Sequence, residues 1–401
     1  MTAPVTVAYI FERYPTLTQT FLQREITALT GAGLRIEVYA MFGAQFQWWE
    51  AFGLVVALPR ELWRDPSLVR DAWRLLCRYR FRSAENFFST LWAVVFAFCR
   101  AHRLRERKPD IIHGVWATGP ATAAAILSRC CGIPFSFGAI AYDIYRDGGD
   151  AFLPAKLRAA RFAHTEIEAN VAYLREKAAS PTVKIVVGRR GLEHLPDCSV
   201  KNREPGPIRI LSVGRLVPKK GCVHQLAACA VLKEWGVPFM LRIVGDGPLR
   251  RELRAKIRST GLSDLVTLCG ACSSEEVDGF YRWADIFWHT GVVAPDGDRD
   301  GMPTVVAEAM AHKLPVICGR MPGVMEAVEN EVTGLVVDVT NAVELASAVK
   351  RLAGDEQLRR RLGENGRRWV EKNFMMADDI MPLAEAFREA CATGCRDAKD
   401  A

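Results

Sequence analysis

The sequence predicts an α/β protein of two similar halves, each a parallel sheet with helices between its strands. Three observations carry this. A β–α–β unit opens the chain at residues 5–42. A second series of alternating strands and helices begins at residue 208. Between them, residues 193–207 (EHLPDCSVKNREPGP) are polar and hold three prolines without periodicity, as an interdomain linker does. The chain has 401 residues, more than one core usually organises. Half of them are hydrophobic and a quarter charged, which describes a folded chain rather than a disordered one.

In the first half, residues 5–11 (VTVAYIF) read as a strand, followed by a loop at Tyr14–Thr20 and a helix that Gly31-Ala-Gly33 ends. Residues 34–42 give the second strand. Residues 46–107 then change character, with Trp48, Trp49, Trp63, Trp73 and Trp92 among Arg60, Arg64, Arg70, Arg74, Arg78, Arg80 and Arg82. Helices fit 66–80 and 84–107. Two readings stay open for them: packing on the sheet with snorkelling arginines, or contact with a lipid surface. Further strands are expected at 110–115, 134–140, 164–170 and 183–187, with an Ala-rich helix from Gly119 to Cys131. In parallel sheets ligands sit beyond the strands' carboxyl ends. Thr18, Thr20, His113, Asp143, Arg189 and Arg190 are therefore candidates for lining a crevice. His113 reads equally well as a core histidine.

The second half has expected strands near 208–213, 240–244, 266–269, 286–289, 315–318 and 335–337. A long helical stretch, 341–393, breaks near N-F-M-M-A-D-D-I. The domain reading is 1–195, a linker at 196–207, a second domain at 208–373, and a terminal helix at 374–401 that returns to the first domain.

Composition bounds the partners. A net charge of +7 is modest for this length. It gives no reason to expect nucleic acid and fits an anionic small ligand or an acidic membrane surface. The twelve cysteines show no C-x-x-C pair, so free thiols in a reducing cytosol are expected. No signal peptide is expected, and no apolar run approaches the ~20 residues that a membrane span needs.

The chemistry concentrates at 296–319, D-G-D-R-D-G-M-P-T-V-V-A-E-A-M-A-H-K-L-P-V-I-C-G. An acidic loop leads into a helix at 304–313, with Thr304 as its expected N-cap. Free amides at a helix start suit a phosphate, and a carboxylate one turn on, Glu308, suits paired hydroxyls such as a ribose. Asp296, Asp298 and Asp300 imitate a calcium loop, but position 307, where the bidentate Glu belongs, is Ala. A D-x-D metal clamp suits a single-domain layout rather than two halves. Earlier, V-G-R-L-V-P-K-K-G offers Arg215 and Lys220 for a diphosphate. V-G-D-G-P-L-R has Arg250 where a dinucleotide fingerprint needs its third Gly, which argues against a nicotinamide enzyme.

Taken together, G-R-L-V-P-K-K-G, V-G-D-G-P-L, D-G-M-P-T-V-V-A-E-A-M-A and L-P-V-I-C-G resemble the retaining glycosyltransferases of family 4. These have the GT-B fold, two Rossmann-like domains with parallel sheets facing across a cleft. The first half resembles the exopolysaccharide, colanic-acid-type branch through R-Y-P-T-L-T-Q-T-F-L-Q-R-E-I, I-I-H-G-V-W-A-T-G-P and A-Y-D-I-Y. The resemblance implies a transferase acting in exopolysaccharide, lipopolysaccharide or glycolipid biosynthesis. It would be cytoplasmic, peripheral to the inner face of the membrane, metal-independent and without a cofactor besides its nucleotide-sugar donor. The acceptor would be a glycan or a lipid-linked glycan. Arg215 and Lys220 would hold the donor diphosphate, with the backbone of Gly301, Met302, Pro303 and Thr304 near sugar and phosphate. Asp300 would contact the sugar and Glu308 the ribose, and Gly270 and Ala271 the base. The chain departs from the family at Asp300, usually Glu, and at Ile140 and Val115, where the branch usually has His. Those two departures motivate an alternative, a transferase-like binding or partner protein without transfer activity.

Overall fold

The computed structural model describes residues 4–14, 20–42, 59, 63, 83–198 and 206–397. Residues 15–19, the expected helix at 66–80 and residues 199–205 lie outside the described residues. The chain divides into two compact units, Met1–Arg190 with Met376–Ala401, and Gly191–Met375.

The first unit holds strands β1 (Thr6–Arg13), β2 (Arg35–Phe42), β3 (Ile111–Gly114), β4 (Phe135–Gly138), β5 (Ala163–Thr165) and β6 (Ile185–Val187). They form one sheet in the order β2-β1-β3-β4-β5-β6, every pair parallel. Helix α1 (Thr20–Gly31) joins the first two strands. Helix α2 (Ala84–Arg107) starts at Ser83, whose hydroxyl accepts from the Asn86 N–H, and ends at Lys108 in the left-handed region. Helix α3 (Gly119–Cys131) packs closely on β3: a Cβ on Gly114 would lie 2.6 Å from the Ala121 Cα. The core strands are buried along their whole length, as parallel strands covered on both faces must be.

One expected strand is corrected. Of 164–170 only His164 and Thr165 are extended, in a strand Ala163–Thr165, and a helix, Glu168–Ala178, begins three residues later. Asn170, inside that helix, is buried and donates to the Ile140 carbonyl at 2.7 Å and to Thr165 Oγ1 at 2.8 Å.

In the second unit, β7 (Ile208–Val213), β8 (Phe239–Val244), β9 (Val266–Gly270), β10 (Ile286–His289), β11 (Val316–Cys318) and β12 (Gly334–Val336) take the order β12-β11-β10-β7-β8-β9. All of these pairs are parallel too. The sheet grows one way from β7 to β9, then resumes at β10 on the other side of β7. That reversal is the switch point where open α/β sheets leave a crevice at the strands' carboxyl ends. The loops after β7 and β10 both open there.

The expected helix at 341–393 is four pieces: Ala342–Gly354, Glu356–Asn373, Met376–Asp379 and Met381–Asp397. Asp355 caps the second piece by accepting from the Leu358 N–H. The chain enters the second unit beside its point of exit: Leu192 pairs with Met375, and its N–H donates to the Phe374 carbonyl at 3.0 Å. The last piece packs in the first unit, with Phe387 against Tyr9, His113 and Phe162.

Candidate active site

β7 ends in a turn, residues 214–221, that carries Arg215, Lys219 and Lys220. Gly221 closes it with φ of +63°, and a Cβ there would lie 2.0 Å from the Thr290 carbonyl oxygen just after β10. Only glycine permits that approach. Thr290 Oγ1 donates to the Lys220 carbonyl at 3.0 Å, and the buried Gln225 amide donates to Ser212 Oγ and Thr290 Oγ1, both at 2.8 Å. The two turns at the switch point are thereby stitched together.

This stitching sets two lysines against the acidic loop. Lys220 Nζ lies 2.6 Å from Asp300 Oδ2; Lys219 Nζ lies 2.9 Å from Asp298 Oδ1 and 3.5 Å from Asp300 Oδ1. His289 Nε2 is 3.6 Å from Asp300 Oδ2. Burial pushes the Asp300 carboxyl up, but Lys220, His289 and Lys219 outweigh it and hold the group well below the usual carboxylate range. Burial, and then Lys220, bring His289 down to about 4, so its ring is neutral at neutral pH. Arg215 stands exposed at the head of the turn.

The acidic loop feeds helix α10 (Thr304–Ala311). Pro303, not Thr304, occupies the N-cap position, and no side chain caps the first turn. Proline has the extended φ and ψ that this position needs but offers no oxygen side chain, which leaves the first amides open. Beneath them, a Cβ on Gly323 would lie 2.1 Å from the Gly301 carbonyl oxygen and 3.0 Å from the Met302 nitrogen. The turn at 300–304 therefore rests directly on the short helix Pro322–Met325.

Glu308 stands one turn into α10. The Tyr281 hydroxyl donates to Glu308 Oε2 at 2.8 Å. His312 stacks on the Tyr281 ring at 4.8 Å, with its ring nitrogens 2.8 Å from the Glu308 carbonyl and from Asp278 Oδ1. Gly270 closes β9 and accepts from the Gly245 N–H at 2.7 Å; Ala271 beside it is exposed. Arg250, paired with Asp246 at 2.8 Å, lies over Gly270. Lys219, His289, Tyr281 and His312 were not singled out by sequence. The Lys-Lys pair was a visible signal; the other three meet their partners only through the fold.

In the first unit, three candidates are buried. His113 is fully buried, its Nδ1 2.9 Å from Ser136 Oγ and its ring against Tyr9 and Phe387, so it belongs to the core. Asp143 is also buried. Its carboxylate is consumed by the N–H groups of Ala117 (2.9 Å), Ala141 (2.8 Å) and Ile140 (3.2 Å), which tie two loops together. Arg190 is buried between Glu25 and Glu166 and stacked on Phe21 and Trp116. Burial opposes its charge, but the two carboxylates raise it above even the usual guanidinium range. Arg189 is half-buried, and its charge lowers Asp379, which burial nonetheless pushes up to about 7. Val115 and Ile140 sit in one apolar cluster with Trp116 and Ala141. Thr18 lies outside the described residues. Thr20 opens α1, and its side chain is likewise outside them.

Two parallel six-stranded sheets of this topology, with charged turns gathered at a switch point, have the GT-B fold. The fold agrees with sucrose-phosphate synthase from Thermosynechococcus elongatus, at a TM-score of 0.75 and 18% identity, over 97% of this chain and 100% of that one. Residues 198–369 match the family model Glycosyl transferases group 1. The colanic acid biosynthesis glycosyltransferase WcaL of Escherichia coli (strain K12) is 38% identical over 184 residues, 46% of this chain and 45% of that protein. The Salmonella typhimurium protein of the same name is 28% identical over 385 residues, 85% of this chain and 89% of that one.

Proposed function

We propose that the chain is a retaining glycosyltransferase that moves a sugar from a nucleotide-sugar to a glycan or lipid-linked acceptor, in the building of an exopolysaccharide or a related glycolipid or lipopolysaccharide. The observation that carries this reading is the cluster of Lys219, Lys220, Asp298 and Asp300 at the open start of α10, with Glu308 one turn further on. The second unit takes the donor and the first the acceptor. Arg215 and Lys220 hold the diphosphate; the amides of Gly301, Met302 and Thr304 border it, Pro303 shaping the turn. Gly270 and Ala271 border the base.

The chemistry follows from the charges. As the sugar–phosphate bond breaks, positive charge develops on the sugar and negative charge on the departing diphosphate. Fixed ammonium groups and helix-start amides stabilise that diphosphate. Lys220 has three N–H donors, and its contact with Asp300 uses one of them. The ion pair thus holds the lysine in place while leaving donors for a phosphate. Asp300 borders the sugar, and the acceptor hydroxyl attacks from the face the diphosphate leaves. The lysines supply the positive charge that a metal supplies elsewhere, so the transfer is metal-independent. The protein works in the cytoplasm, peripheral to the inner face of the membrane; among the described residues no helix is long and apolar enough to cross one.

A panel of nucleotide-sugars, screened by calorimetry and then by turnover on glycan acceptors, tests the reading. Glu308→Ala is expected to abolish donor turnover in a folded protein. Wild-type activity in that variant refutes the site, and binding without turnover by the wild type across the panel favours a binding protein instead.

A further inference from the structure

The carboxylate of Glu308 does not stand alone. Tyr281 is buried, its ring held between His312, stacked at 4.8 Å, and Phe287, at 5.8 Å. Its hydroxyl reaches Glu308 Oε2 at 2.8 Å and lies 3.3 Å from the Val305 carbonyl of the first turn of α10. Both neighbours only accept, so the phenol must be the donor. Burial, and then the Glu308 charge, hold the phenol well above its ordinary range, so it keeps its proton. His312 is itself fixed at both ring nitrogens, by the Glu308 carbonyl and by Asp278. Among the described residues, Glu308 Oε1 has no hydrogen-bond partner, and the residue is half-buried.

We infer that Tyr281 is a positioning residue for nucleotide recognition: its phenol fixes Glu308 Oε2 and leaves Oε1 as the acceptor for the paired 2′- and 3′-hydroxyls of a ribose. The inference rests on the reading that Glu308 meets a ribose. It adds that selectivity for a ribonucleotide is set from helix Ser274–Trp283, outside the loop and helix that carry the acidic residues. A glutamate free to rotate would give up part of each hydroxyl contact to the entropy of ordering its side chain. The phenol removes that freedom before the ligand arrives.

Calorimetry on the full chain with UDP, GDP and ADP selects the tightest nucleoside diphosphate, which is then compared with its 2′,3′-dideoxy counterpart. The wild type is expected to prefer the ribonucleotide by about 10- to 100-fold, the loss expected when hydrogen bonds to a charged group go unmade. Tyr281→Phe is expected to weaken the ribonucleotide alone and bring the ratio within a few-fold of one. His312→Gln, which keeps the phenol but removes its stacking partner, is expected to give an intermediate ratio. A merely structural role for Tyr281 would weaken both ligands equally, and an unchanged ratio in both variants overturns the inference. Glu308→Gln separates the two claims. If it abolishes the preference while the Tyr281 and His312 variants keep it, the inference fails and the ribose reading stands. If Glu308→Gln also keeps it, or if the wild type shows no preference, the ribose reading fails and takes the inference with it.

Discussion

Gly323→Ala tests whether the floor of the turn at 300–304 sets its position. The added Cβ starts 2.1 Å from the Gly301 carbonyl oxygen, and ordinary contact begins at 3.4 Å, so something must move by about 1.3 Å. Both sides of the contact are backbone, so no rotamer change absorbs it. Overpacking of this kind costs about 1–3 kcal/mol of stability. If the turn at 300–304 is the part that yields, Asp300 and the open amides of α10 leave their places. Misplacement by about 1 Å costs on the order of 100-fold in turnover. Gly279→Ala is the control: it lies mid-helix with nothing within 4 Å of its Cβ, and is expected to gain about 0.5–1 kcal/mol with unchanged activity. Thermal unfolding and nucleoside diphosphate titration of both variants decide the matter. A Gly323→Ala protein that loses stability but binds the nucleotide as the wild type does would show that helix Pro322–Met325 yields instead, which refutes the reasoning.

Two further outcomes are expected. Arg190→Met strands the buried carboxylates of Glu25 and Glu166, and should cost about 3–5 kcal/mol in urea unfolding near neutral pH. Burial already raises Glu166. A raised carboxyl contributes its stability in full below its unfolded value and loses it as pH rises through the folded one, so the variant should recover toward about pH 5. Equal losses at both pH values would count against stranded charge as the cause. Burial also brings His164 and His289 down to about 4. Between roughly pH 6.5 and 4 the unfolded chain therefore binds protons the native state refuses, and stability should rise with pH across that window. His164→Gln should flatten the urea-midpoint profile there, and an unchanged slope would refute the burial argument.

Much of the second unit is legible because its strands are apolar runs bounded by Gly, Pro and Asp, as at Ile208–Val213 and Ile286–His289. The strand Ala163–Thr165 is too short to show a period, and the buried Asn170 beyond it looks like a strand residue until Ile140 and Thr165 are seen to hold it. The site divides in the same way. Asp300, Lys220 and Glu308 announce themselves beside glycine turns. Tyr281 and His289 do not, because a tyrosine in Y-R-W-A-D-I-F and a histidine at a strand end look like packing residues. Tyr281 meets Glu308 from 27 residues away. Asp143 and Arg190 mislead for the opposite reason. A charged residue in a predicted loop reads as exposed, and the partners that bury Arg190 lie 165 and 24 residues distant.

The pairing of Leu192 with Met375 has a topological consequence. Residues 191–375 form a loop of chain whose two ends are tied at one place, so by connectivity this half is an insertion in the other. Its native ends could be joined by a short turn and new ones opened elsewhere, or it could be moved whole into another chain that offers the same point of attachment. The second unit is therefore a cassette, exchangeable without rerouting either sheet.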